Sequence, residues 1–254
     1  MIRFENVTKV LGGKPVLDDI SFEVAEGETF VIVGLSGAGK SVTLKHMIRL
    51  MLPDSGEILI DGEGIVGMGR TALRQLREKF GVLFQSAALL QWMTVQDNVA
   101  LPLREHTDLA EEDILRQVNE KLEMLNLGDA GDKFPSDISG GMQKRVGLAR
   151  AIIMNPKIVL YDEPTSGLDP VTSRRIDELI VNMRKRLGIT SVVVTHDLQS
   201  ALSIGSRIMM LHNGQIVESA TPEEFIRSKD ATVQSFLESQ YITRRGKWEE
   251  LGNE

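Results

Sequence analysis

Apolar and polar positions alternate in short runs near the start of the chain. Ile2–Val7, Ser21–Val24 and Glu57–Ile60 each alternate, with turn residues close by at Gly12-Gly13, Glu26-Gly27, Asp54-Ser55-Gly56 and Asp61-Gly62. Alternation of this kind predicts half-buried strands. Phe30-Val31-Ile32-Val33 is instead a continuous apolar run that stops at glycine, the pattern of a parallel strand covered on both faces. After Lys40 the apolar positions Val42, Leu44, Met47, Ile48 and Leu50–Leu52 follow helical spacing as far as Pro53.

From residue 88 to about 155 the period changes. Glu111–Leu127 is charged and amphipathic, with Ile114, Leu115, Val118, Leu122 and Leu125 on one side. Gln143–Met154 reads as a second helix, so this stretch predicts a mainly helical insert. Strand patterns return at Ile158–Tyr161, Ser191–Thr195 and Ile208–Leu211, with a helix at Arg174–Leu187 between the first two. Repeated β-α-β order implies a parallel sheet with right-handed crossovers. From about Pro222 the chain predicts short helices and then a polar tail, residues 244–254.

Composition narrows the class. The chain has 254 residues, of which 42% are hydrophobic and 26% charged, as in an ordinary globular protein of one large α/β domain or one domain with an inserted lobe. No run reaches the roughly 18–20 apolar residues of a membrane span, and Met1-Ile2-Arg3-Phe4-Glu5-Asn6 does not read as a signal peptide. With no Cys there is no disulfide or thiolate-metal framework. The net charge of −7 argues against nucleic acid as a partner. The clusters Arg184-Lys185-Arg186 and Arg244-Arg245 read as a solvated helix face and a tail.

One stretch carries chemistry by itself: Gly34-Leu35-Ser36-Gly37-Ala38-Gly39-Lys40-Ser41, set between an apolar strand and a helix. Glycines let successive backbone N–H groups line an anion nest, and the helix N-terminus adds partial positive charge. Lys40 then reaches the β and γ phosphates, and the Ser41 hydroxyl ligates Mg²⁺. Asp162 and Glu163 end an apolar strand, where carboxylates suit a Mg²⁺ shell (Asp162) and activation of the attacking water (Glu163). An acidic pair before Pro164 could equally cap a strand; the phosphate loop elsewhere in the chain favours chemistry. Gln85 and His196 each follow an apolar run. A Gln can contact metal or water and a His can hydrogen-bond a γ phosphate, but both residue types also serve as structural hydrogen bonders at strand ends.

With Ser139-Gly140-Gly141-Met142-Gln143 added, six motifs in order make the chain resemble the nucleotide-binding subunits of ABC transporters from Met1 to about residue 228. They are Walker A at Gly34–Ser41, the Q-loop at Gln85, the signature at Ser139–Gln143, Walker B ending at Asp162-Glu163, the D-loop around Asp169, and the switch His196. The resemblance implies a P-loop NTPase with a parallel-sheet core, an N-terminal antiparallel β subdomain and an α-helical subdomain inserted at about 88–155; residues 229–254 form an extension. It implies that ATP with Mg²⁺ is bound by Gly34–Ser41 and Val42, that Ser41, Gln85 and Asp162 hold the metal, and that Glu163, His196 and Gln85 serve hydrolysis. It also implies a head-to-tail dimer in which Ser139–Gln143 of a second copy meets the γ phosphate and Asp169 couples the two sites. Where many family members stack adenine on an aromatic side chain, this chain has Leu11, so base contact is expected from Leu11 and Val16.

Met142, Val42 and the runs Gln85–Leu90, Thr94-Val95, Asn98-Val99 and Leu101–Leu103 resemble one branch, the ATPases of Mla-type, MCE-associated lipid transport systems. That branch implies transmembrane permease subunits, an MCE-domain protein, a small STAS-domain subunit, and a place on the cytoplasmic face of the inner membrane. Trp92 and Met93 fit either a groove for the permease or the core of the helical lobe. Residues 235–248 fit either a segment that docks on the partner ATPase or a disordered tail. Two further readings stay open on sequence grounds: the ATPase of an importer for a small polar solute, and a non-transport ABC protein acting on DNA or ribosomes.

Overall fold

The computed structural model describes residues 1–240. Contacts divide the chain into two units, one made of Met1–Val66 with the chain from Val194 onward, the other of Gly67–Val193.

The first unit opens with an antiparallel hairpin, β1 (Ile2–Leu11) and β2 (Lys14–Val24). Gly12 and Gly13 connect them, both at positive φ, 58° and 78°. That is the two-residue turn whose twist matches the strands, and it favours glycine at both places. β3 (Thr29–Val33) has every residue buried, as its continuous apolar run predicts. α1 (Lys40–Met47) follows the glycine loop. It ends five residues earlier than its apolar spacing predicts, because the chain turns at Arg49 (φ 50°) and the Leu50 N–H reaches back to the Lys45 carbonyl at 2.8 Å. β4 (Ser55–Ile60) and the short β5 (Glu63–Gly64) complete a four-stranded sheet in the order β2-β1-β4-β5. Its core side carries stacked Phe4 and Phe22, with ring centroids 4.5 Å apart.

The second unit begins with α2 (Arg70–Glu78) and β6 (Phe80–Leu83). Three helices follow, α3 (Val95–His106), α4 (Glu111–Met124) and α5 (Gly140–Ile152), with 3₁₀ turns at Gly128–Ala130 and Pro135–Asp137. β7 (Ile158–Asp162) pairs in parallel with β6, Phe80 opposite Ile158 and Leu83 opposite Tyr161. α6 (Pro170–Leu187) then leads to β8 (Thr190–Thr195), giving the strand sequence β8-β7-β6. Its last turn holds Arg184, Lys185 and Arg186, where cations favour the negative end of the helix.

β8 runs through the boundary, and the first unit resumes with α7 (Leu198–Ile204), β9 (Arg207–His212) and β10 (Gln215–Ala220). β3 pairs in parallel with β9, and β10 adds to β9 antiparallel. The fold is therefore mixed α/β, with one antiparallel and one mostly parallel sheet, as expected. α8 (Pro222–Ile226) starts with a Thr221/Glu224 capping box, and α9 (Ala231–Ser239) closes the described chain. No helix among the described residues is long and apolar enough to cross a membrane.

Candidate functional site

In the first unit, Gly34–Gly39 links β3 to α1. Gly34, Gly37 and Gly39 take positive φ of 151°, 83° and 102°. Two of them admit no side chain. A Cβ on Gly34 would lie 2.3 Å from the Leu211 carbonyl oxygen, and one on Gly39 would lie 2.6 Å from that of Val16. The loop is thus pressed against β9 and β2 through its own backbone. Lys40 is buried, and its ammonium donates to the carbonyls of Gly34 (2.8 Å) and Leu35 (3.1 Å), which fixes the cation over the loop. Ser41 and Val42 share the first turn of α1, which holds no acid to compete with an anion. Leu35, Ser36 and Gly37 are exposed, and Ala38 is buried.

Val16 touches this loop at Gly39, while Leu11 stands exposed at the end of β1. His196 follows β8 and is exposed; the next residue, Asp197, caps α7 by accepting from Gln199 and Ser200 N–H groups at 2.9 and 3.1 Å.

In the second unit, exposed Gln85 follows β6, and its amide donates to the Ser166 hydroxyl at 3.4 Å. Asp162 ends β7. Glu163 follows, buried and at φ 49°, a left-handed conformation that a side chain makes unfavourable. Asp169 caps α6, its carboxylate accepting from the Val171 and Thr172 N–H groups at 3.0 Å each. The Thr172 hydroxyl first, and then the backbone N–H groups of Thr172 and Val171, hold its carboxyl below the usual carboxylate range.

The signature residues differ from expectation in one respect. The helix begins at Gly140, three residues earlier than its apolar pattern predicts, with Ser139 as N-cap accepting from the Met142 N–H at 3.3 Å. Gly140 and Gly141 are therefore first-turn residues, and that turn too is free of acids. A Cβ on Gly141 would lie 2.4 Å from Thr172 Cγ2, so glycine is what lets α5 approach α6. Met142 is half-buried, and Gln143 donates to the Pro135 carbonyl at 2.8 Å.

Two side chains carry more structure than their sequence context suggested. Asn98 is buried and bonds the Leu90 N–H and the carbonyls of Leu90, Met93 and Thr94, at 2.8 to 3.2 Å, pinning the segment after Gln85 onto α3. Lys144, on the buried side of α5, donates to the carbonyls of Gln85 and Glu163. A lone lysine inside an apolar helix face was the signal for the second.

The model of the family described as ABC transporter matches residues 17–166, more than half of the chain. This chain belongs to the ABC transporter family. The ABC ATPase is 41% identical over 249 residues to the probable ribonucleotide transport ATP-binding protein mkl of Mycobacterium leprae (strain TN), covering 98% of this chain and 72% of that protein. It is 37% identical over 240 residues to the intermembrane phospholipid transport system ATP-binding protein MlaF of Haemophilus influenzae, covering 94% and 91%. It is 37% identical over 246 residues to the methionine import ATP-binding protein MetN of Desulfitobacterium hafniense, covering 95% and 72%. Among solved structures it matches the ATP-binding cassette MJ0796, a dimer in a post-hydrolysis state bound to ADP and Pi, with a TM-score of 0.80 and 34% identity over 87% of this chain and 99% of that one. As an ABC ATPase it couples ATP hydrolysis to transport.

Proposed function

We propose that this ABC ATPase is the motor of a lipid transporter, moving phospholipid or a related lipid between membranes of the envelope. The observation that carries the cargo is the likeness to MlaF, which runs through 94% of this chain and 91% of that protein. The Ser139–Met142 run supports it. On this reading two copies associate head to tail, on the cytoplasmic face of the inner membrane, with permease subunits, an MCE-domain protein and a small STAS-domain subunit. The dimer of MJ0796 supports the pairing. Exposed Trp92, at 75% of its surface, offers an apolar contact for the permease.

Within each copy, residues 1–228 form the ATPase domain, with the helical lobe at about 88–155, and residues 229–254 extend it; residues 241–254 lie outside the described residues. Backbone N–H groups of Gly34–Lys40 and the Lys40 ammonium bind the triphosphate. Leu11, Val16 and Val42 contact the nucleotide through aliphatic surface. Glu163 orients and deprotonates the water, with Gln85 and His196 placing water and γ phosphate. Ser41, Asp162 and Gln85 are a hard-oxygen donor set of the kind Mg²⁺ takes together with substrate phosphates; the metal supplies charge neutralisation on those phosphates. Ser139–Gln143 of the second copy presents an acid-free helix start to the same γ phosphate, and Asp169 couples the two sites.

The importer of a small polar solute is the second reading, and the likeness to MetN favours it. Purification of the native complex from its own membranes separates the two. Recovery of an MCE-domain protein with the permease is the expected outcome; a solute-binding protein in its place rejects the lipid cargo. For the chemistry, Glu163→Gln is expected to lower ATP turnover at least about a hundredfold while nucleotide binding persists. Turnover near the wild-type rate would falsify the role given to Glu163.

A further inference from the structure

Lys144 sits one turn into α5 and is only 6% exposed. Its ammonium donates to two backbone carbonyls, that of Gln85 and, at 3.1 Å, that of Glu163. The Glu163 carbonyl also accepts from the Ser166 N–H at 3.2 Å, and the Ser166 hydroxyl accepts from the Gln85 amide at 3.4 Å. Lys144, Glu163, Ser166 and Gln85 thus form a closed ring of hydrogen bonds that ties the start of α5 to the ends of β6 and β7. Burial disfavours the lysine cation, and the opposing charges that favour it are Glu163 and Asp162.

We propose that Lys144 is a positioning residue for hydrolysis, holding the Glu163 backbone in its left-handed turn and the Gln85 segment beside it, so that the two side chains keep one geometry. The inference rests on the reading that Glu163 activates the water. A compact ammonium on a four-carbon stem can satisfy two carbonyls from one helix position. A carboxylate carried on an unfavourable φ has a second, relaxed backbone available to it once that tether goes. Displacement of a reacting group by about 1 Å lowers rate on the order of a hundredfold, without any contact to substrate being removed.

The test measures steady-state ATP hydrolysis by the full chain for Lys144→Met, Lys144→Gln and Lys144→Arg, with thermal unfolding of each. Lys144→Met is expected to lower kcat at least about tenfold, with KM for ATP within about twofold and a cooperative unfolding transition retained. Lys144→Arg, which keeps a cation and donors, is expected to recover a large part of that rate. A Lys144→Met rate within twofold of wild type overturns the proposal, as does a loss in which kcat and KM change together. An arginine variant no better than the methionine one overturns it too. Where Lys144→Met gives no cooperative transition, Lys144→Gln is read by the same criteria. Glu163→Gln, assayed beside them, separates the two readings. If it turns over freely, the role of Glu163 falls. If it is inactive while Lys144→Met runs at full rate, only the role of Lys144 falls.

Discussion

His46 lies fully buried in the last turn of α1, the helix that follows the phosphate loop. Its Nδ1 lies 2.7 Å from the Val42 carbonyl and donates to it in the neutral ring, while the buried Nε2 makes no hydrogen bond of good geometry among the described residues. Burial holds its pKa below the usual histidine value; the Val42 carbonyl opposes this, the Lys9 cation adds to it, and the Leu52 carbonyl and Asp54 oppose it more weakly. The unfolded chain takes up this proton first as pH falls, so the contribution to stability is present above about pH 6.5 and is lost below it. Urea denaturation between pH 7.5 and 5 is expected to show His46→Leu with a flatter stability profile than the parent, by up to about 1.4 kcal/mol per pH unit. Equal slopes would show that this ring titrates alike folded and unfolded. At this scale the sequence was legible wherever a residue's type names its chemistry, as for Lys40 or Glu163. It was silent on Asn98, and for Lys144 it offered only a lysine on an apolar helix face, because the importance of both lies in which backbone groups they reach.

Elements were legible in proportion to their apolar contrast. β3 and β7 were evident because four or more of their residues are buried in a row. α2 was not, since Leu76 is its single buried residue, and α3 was masked by an internal Pro102. β10 and the first half of β2 are mostly exposed or half-buried and offer no clean alternation. Glycine also acts at this scale. A Cβ on Gly81 of β6 would lie 2.1 Å from the Ala151 carbonyl oxygen of α5, and one on Gly147 would lie 2.9 Å from Leu83 Cδ1. Strand and helix meet here through bare backbone. Gly81→Ala is expected to cost about 3 kcal/mol or more, read as a lower urea midpoint. Gly128→Ala, whose added carbon meets nothing closer than Glu123 Cγ at 3.8 Å, is the control and should move the midpoint little.

For the whole molecule, the family and the mixed α/β architecture were legible because six short motifs in a fixed order leave few alternatives. The cargo was not, since relatives of similar identity bear the names of a phospholipid, a methionine and a ribonucleotide system. A cassette's ATP site says little about what its permease carries. The proposed association is open to direct measurement. Glu163→Gln mixed with ATP and Mg²⁺ should shift in light scattering from the mass of one chain, 28.1 kDa, to twice that value, and Lys40→Ala in the same background should abolish the shift. A mass that stays at one chain under saturating nucleotide would reject the head-to-tail dimer.

The left-handed backbone at Glu163, φ 49°, separates what the fold needs from what the chain keeps. With the carboxylate removed in both, Glu163→Gly should be more stable than Glu163→Ala by about 1 kcal/mol, because only a residue without Cβ is at ease in that conformation. Selection acting on sturdiness alone would drift towards glycine at this place. The acid that stands there answers a demand that conformational comfort does not explain.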